Sequence, residues 1–207
     1  MKFRNGLPLL LALAISGCAS LSKEECLTAD WRTVGFQDGA AGYTAERIGA
    51  HRQACAEHGV MPNLDRYLDG RKNGLREYCR PARGYQEGLE GRAYGGVCPP
   101  DLERDFIGAH EAGLRIYAME ADIHDQESTL RNKERRFKEV SGKSAAAQST
   151  IIASNNPGAR ARALADIQSL DREKGELEHE IDNLKHRIEW LERAARQERF
   201  GTDARYR

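Results

Sequence analysis

The chain has 207 residues, 31% of them charged and only 7% aromatic, and its 32 basic side chains are balanced by 32 acidic ones. That balance excludes the basic excess of a nucleic-acid-binding protein. So much charge with so little aromatic bulk suits long solvated helices better than one thick core.

The first residues read as a cleavable leader. Lys2 and Arg4 give a positive start, and Leu7 to Ile15 is an apolar run broken by Pro8. It is shorter than the roughly 20 residues needed to span a bilayer. Ile15-Ser16-Gly17-Cys18 then places two small residues before a cysteine, the pattern cut and acylated in bacterial lipoproteins. Residues 1–17 are therefore expected to be a signal peptide and Cys18 the lipidated first residue of the mature protein. Acyl chains contribute roughly 0.8 kcal/mol per buried methylene, so two or more hold stably. Removing Lys2 and Arg4 leaves 30 basic against 32 acidic side chains, a net charge of −2. Ala19 follows Cys18 where an Asp would favour inner-membrane retention. The expected location is the periplasmic face of the outer membrane.

Residues 18–100 are predicted to form a small helical head. All four remaining cysteines, Cys26, Cys55, Cys79 and Cys98, lie here. An even count in an exported chain argues for two disulfides, and a segment this small needs such staples. Thr28, Thr44 and Asn63 are candidate N-caps, while Gly59 and Pro62 close the second helix. Helices are predicted near 29–42, 45–58, 64–79 and 84–93. If the first two are antiparallel neighbours, Cys26 at the start of one lies beside Cys55 at the end of the other. Cys55 and Cys79, at the ends of consecutive antiparallel helices, fall at opposite poles. Cys79 and Cys98 bracket the short fourth helix. The predicted pairs are Cys26–Cys55 and Cys79–Cys98, each contributing roughly 3 kcal/mol in the chain-entropy model.

A weak repeat runs through this region. Tyr67, Gly70, Gly74 and Tyr78 share one helical stripe, and Phe106, Ala109, Gly113 and Tyr117 have the same offsets. Asp38-Gly39 and Glu87-Gly88 each have another Gly three residues on. Glycine costs about 1 kcal/mol against alanine inside a helix, so Gly stripes need a reason. One is close helix approach with tyrosine rings over the gap. The other is a groove for a glycan or peptide, with Tyr67, Gly70, Gly74, Tyr78, Tyr85 and Tyr94 as its candidate lining.

Pro99-Pro100-Asp101 reads as a stop and a cap opening a long helical hairpin, expected over 101–199. Ala109, Ile116, Ile123, Leu130 and Phe137 recur every seven residues, but the companion positions Glu120, Glu127 and Glu134 are acidic. The stretch 141–158, rich in Ser, Ala, Asn and Gly, is the expected tip. Asn156 and Pro157 open the second helix. Its seam is stronger: Ala163, Ile167, Leu170, Lys174, Leu177, Ile181, Leu184, Ile188, Leu191 and Ala195 alternate steps of four and three. Lys174 is its weak point, and residues 200–207 are expected to fray. The fold class is all-α, a disulfide-stapled helical head followed by a long antiparallel coiled-coil hairpin.

Chemistry-bearing patterns are sparse. Ser141-Gly142-Lys143-Ser144 ends like a phosphate loop, but Phe137 stands where the motif needs its first Gly. His51, Cys55 and His58 share a helical face at metal-ligand spacing, yet a disulfide through Cys55 is expected. No catalytic residues, metal or cofactor are assigned, and the protein is not expected to be an enzyme.

The order of Cys, Gly and Tyr resembles a family of bacterial lipoproteins catalogued as domain of unknown function 2799. The resemblance covers roughly residues 18–120. It rests on Cys18, Cys26, Asp30-Trp31, Gly35-x-x-Asp38-Gly39-x-x-Gly42, Arg47, His51 and Cys55. It continues through Tyr67-x-x-Gly70-x-x-x-Gly74-Leu75, Tyr78-Cys79, Gly84-Tyr85-x-x-Gly88-x-x-Gly91 and Tyr94 to Cys98. It implies a Gram-negative envelope lipoprotein and no particular activity. The expected role is structural or interactive, anchored to the membrane by lipid and directed at another envelope protein or at peptidoglycan.

Overall fold

The computed structural model describes residues 21–206. The expected signal peptide 1–17 and Cys18 lie outside the described residues. Among the described residues seven helices follow in order: α1 (Lys23–Thr28), α2 (Trp31–Ala40), α3 (Arg47–Ala56), α4 (Leu64–Tyr78), α5 (Pro81–Leu89), α6 (Pro100–Ala153) and α7 (Pro157–Tyr206). No strand occurs among the described residues, and no helix there is long and apolar enough to cross a membrane. The chain divides into two compact units, one ending at Tyr78 and the other spanning Cys79–Arg207. Composition changes at residue 100, but the units part earlier because α5 packs on the first turns of α6.

In the first unit, Ser22 and Glu25 form a reciprocal capping box at α1. Asp30 caps α2, accepting from the Arg32 N–H and the Thr33 hydroxyl. Thr28, the expected cap, instead donates its hydroxyl to the Glu24 carbonyl within α1. Asn63 caps α4 through the Arg66 N–H at 3.0 Å, as its sequence position suggests. Cys26, Trp31, Val34, Ile48, Cys55 and Tyr67 make the core.

Cys26 and Cys55 are bonded with α-carbons 5.4 Å apart, the pairing expected. The expected reason needs correcting. The first two predicted helices are not the main pair. The partner of α2 is α4, while Cys26 lies in α1, which meets α3.

The second unit opens with α5, Pro81 in its first turn, and Cys79 bonded to Cys98 with α-carbons 5.7 Å apart. Pro100 begins α6 after Pro99, so Asp101 sits in the first turn rather than at the cap. Helices α6 and α7, of 54 and 50 residues, pack against each other as a hairpin. At 1.5 Å per residue they extend roughly 80 and 75 Å.

Two expectations about the hairpin are overturned. Residues 141–153 are helical, and the turn is only 154–156. Val140 and Ser144 are buried there, with Ser144 donating to Asp171 across the hairpin at 3.2 Å. Residues 200–206 are not frayed: α7 continues to Tyr206, whose ring packs on Tyr85 at 5.5 Å. The Tyr85 hydroxyl also donates to Asp203 at 2.8 Å and meets the Thr202 hydroxyl at 3.0 Å.

The seams differ as the heptads imply. Helix α7 buries Ala163, Leu177, Ile181, Ile188, Leu191 and Ala195. Helix α6 buries Phe106, Ala109, Ala112 and Ile116 in its first turns and Val140 further along, while Ile123, Leu130 and Phe137 are only half-buried. Charge supports the middle: Lys133 meets Glu180 at 2.6 Å, Arg136 meets Glu173 at 2.8 Å and Arg187 meets Asp122 at 3.6 Å. The acidic seam positions Glu120 and Glu134 pair with Arg199 and Lys185. Lys174 lies over the Phe137 ring, 5.6 Å from its centre, so the weak point of the second seam has a partner.

Candidate functional site

The Gly stripes account for how the helices meet. A Cβ at Gly70 would stand 1.9 Å from the Arg32 carbonyl oxygen, and one at Gly74 2.1 Å from that of Phe36. On α2, Gly35 and Gly39 face the backbone of α4 equally closely. The two helices therefore touch backbone to backbone. In the second unit Gly84 and Gly88 meet the carbonyls of Phe106 and His110, and Gly113 meets that of Tyr85. Each pair is finished in the same way. Gly42, at φ +78°, is covered by the Tyr78 ring, and Gly91, at φ +67°, by the Tyr117 ring. The positions 35, 39 and 42 thus recur at 84, 88 and 91, and 74 and 78 recur at 113 and 117. The sequence repeat is a repeated structural motif: cysteine, notched helix, left-handed glycine, cysteine, notched helix, ring.

The six groove candidates do not come together in one cleft. Tyr67, Tyr78 and Tyr85 are 0%, 7% and 1% exposed, and Gly70 and Gly74 are filled by the facing backbone. Tyr94 is half-buried; its ring packs at a tilt on Phe106 and its hydroxyl accepts from the Cys98 N–H at 2.8 Å while donating to Glu103. These positions are corrected from a groove to helix-contact and loop-locking residues. The physical reason is that a helix approaching a Gly stripe fills it with carbonyl groups before any ligand can.

The repeat buries one carboxylate in each unit. Asp38 of α2 accepts from His51 Nε2 of α3 at 2.8 Å and from the Tyr67 hydroxyl of α4 at 2.7 Å, both on Oδ2. An ionised carboxylate only accepts, so Nε2 carries the proton. Burial pushes the Asp38 carboxyl up, but the bonds from His51 and Tyr67, aided by the charge of Arg47, outweigh it and hold the carboxyl below its ordinary value. Burial and the Asp38 carboxylate push the Tyr67 hydroxyl well above its ordinary range. At the equivalent place in the second unit, Glu87 is paired with Arg83 at 2.8 Å and with Arg92. Phe106 there replaces Tyr67, and His110 Nε2 donates to the Arg92 carbonyl at 2.7 Å. Asp38 and Glu87 were visible in the sequence only as acid–Gly pairs; their partners were not.

This chemistry is that of a buried clasp. Each polar contact of the Asp38–His51–Tyr67 cluster ties one helix to another. Of His51, Cys55 and His58, Cys55 is taken up in a disulfide and His51 is held by Asp38. No group of three or more His, Cys, Asp or Glu side chains among the described residues is placed to hold a metal.

Two notched helix pairs, each with a cysteine bridge and a buried acid, continuing into a hairpin, define an all-helical, disulfide-closed class of protein. Residues 30–115 match the family described as protein of unknown function (DUF2799). The match runs from the cap of α2 into α6, across both copies of the motif except Cys26 at its start and Tyr117 at its end, and the resemblance read from the sequence is borne out over that segment. No curated protein and no solved structure matches the chain.

Proposed function

We propose that the protein is a lipid-anchored component of the Gram-negative envelope, held at the periplasmic face of the outer membrane through Cys18. Its role on this reading is non-enzymatic: it presents a long hairpin to another envelope component, a protein or peptidoglycan. The observation that carries the reading is the pair of helices of 54 and 50 residues, which place a narrow turn at 154–156 at the far end of the shaft from α5. A rod of this kind has little interior for chemistry and much reach. The disulfides Cys26–Cys55 and Cys79–Cys98 fit an oxidising compartment. Ile15-Ser16-Gly17-Cys18 supplies the anchor.

Intact mass of the membrane-extracted protein tests the reading. The expected mature chain begins at Cys18 and carries acyl chains, and Cys18→Ser leaves a product that is unprocessed or no longer membrane-bound. A mature protein with an unmodified Cys18 overturns the anchor. Photo-crosslinking from the hairpin in living cells then identifies the component it reaches.

A further inference from the structure

The tip of the hairpin differs in charge from its shaft. Between Val140 and Ala165 there are three cations, Lys143, Arg160 and Arg162, and no carboxylate, in a chain that is 31% charged. All three are exposed, and none pairs with a carboxylate among the described residues. On the shaft, Arg115, Lys133, Arg136, Lys185, Arg187 and Arg199 each reach an acid on the opposite helix. Two large aliphatic side chains are exposed in the same place, one of them the most exposed of the large apolar side chains among the described residues. Ile152, beside the turn, is 87% exposed, Leu164 is 53% exposed, and Ile151 is half-buried. The turn between them carries only Ser154, Asn155 and Asn156.

We propose that this tip docks on an anionic lipid surface, with Ile152 entering the headgroup region and Lys143, Arg160 and Arg162 facing the phosphates. Unpaired cations beside exposed aliphatic side chains meet both requirements of interfacial binding. An anionic glycan would satisfy the cations but leave Ile152 and Leu164 in water, so lipid is the better match. Each cation near such a surface strengthens binding about fivefold. That gives weak attachment, suited to a second contact made by a molecule already tethered. The inference rests on the lipid-anchored reading for its setting and goes beyond it, adding a lipid contact at the tip to the protein or peptidoglycan partner proposed for the hairpin.

The test uses the full chain carrying Cys18→Ser, which cannot be acylated there. A polarity-sensitive fluorophore is placed on Ile152→Cys, and in a second protein on Glu178→Cys of the shaft. The apolar run Leu7 to Ile15 can itself adsorb to lipid, so the local probe, not bulk retention, is the readout. With vesicles of phosphatidylcholine and 30% phosphatidylglycerol, chosen as a probe composition, the expected result is a blue shift at 152 and none at 178. The shift should weaken in high salt. Reversing Lys143, Arg160 and Arg162 to Glu should lower apparent binding by about 100-fold or more.

No shift at 152 overturns the proposal. So does an equal shift on phosphatidylcholine alone, or an equal shift at 178. Retention on peptidoglycan sacculi without a vesicle response assigns the tip to an anionic glycan and likewise overturns it. Failure of acylation at Cys18 would leave the vesicle result standing, and a negative vesicle result would leave acylation standing.

Discussion

At the scale of single residues, the buried acid of each motif is where polar chemistry bears most on stability. Tyr67→Phe removes one of two donors to a buried carboxylate and should cost about 1–3 kcal/mol in urea unfolding. The side chain itself will fit, because Phe106 occupies the same place in the second copy. The sign of the pH effect follows from the lowered Asp38 carboxyl. Its contribution is complete above the ordinary carboxyl value and is lost as pH falls through the lower folded one. Asp38→Asn should be less stable at neutral pH and should flatten that part of the acid limb, as read from denaturation midpoints across pH 2 to pH 6 (about two units either side of an ordinary carboxyl). An acid limb unchanged in Asp38→Asn would contradict the clasp. The glycines divide by their surroundings. Gly70→Ala drives a Cβ to within 1.9 Å of the Arg32 carbonyl oxygen and should cost about 3 kcal/mol or more. Gly175→Ala meets nothing within 4 Å inside α7 and should stabilise by up to about 1 kcal/mol. The cysteine pairs came out right because four cysteines allow only three pairings, although the helix pair used to choose Cys26–Cys55 is not the one the fold makes. The Asp38–His51–Tyr67 cluster was not legible, because it joins three helices across 13 and 29 residues of sequence.

At the scale of elements, the misread boundaries share a cause. Residues 141–153 carry Ser, Gly and a run of alanines, which resembles a linker by composition, yet alanine is the best helix former. Burial of Val140 and the Ser144–Asp171 bond give the segment a partner that composition cannot show. The last turn of α7 was misread for a similar reason. Thr202, Asp203 and Tyr206 face one residue, Tyr85, more than a hundred positions away. Burial pushes the Tyr85 hydroxyl up, as does the Asp203 carboxylate, against an opposing bond from Thr202. Deleting residues 200–207 should therefore uncover Tyr85 and destabilise the second unit. Tyr85→Phe, which keeps the ring contact with Tyr206, should have a smaller effect. Equal losses, measured by thermal unfolding, would show that the hydroxyl contacts and not the apolar cover hold this end.

At the scale of the whole chain, the order of parts was legible and their pairing was not. The seven-residue periods announced a hairpin, and the Gly and Tyr offsets announced a repeat. That α2 pairs with α4 depends on two facing Gly stripes, which no local pattern reveals. The hairpin can be tested as a measured rod. Its cross-helix ion pairs keep one antiparallel register from Arg115–Glu198 near the base to Arg136–Glu173 beyond the middle. Removing 127–133 from α6 and 180–186 from α7 deletes facing heptads. It shortens the rod by roughly 10 Å. The Lys133–Glu180 and Glu134–Lys185 pairs are lost, but the register on either side survives. Removing 127–133 alone slides every pair on one side of the cut out of register. The double deletion should keep a cooperative melt, while the single deletion should lose much more stability. If reach is what the hairpin provides, the double deletion should also lose crosslinks from its tip in cells, although the protein remains folded and anchored. Unchanged tip crosslinks in that shortened protein would remove length from its function.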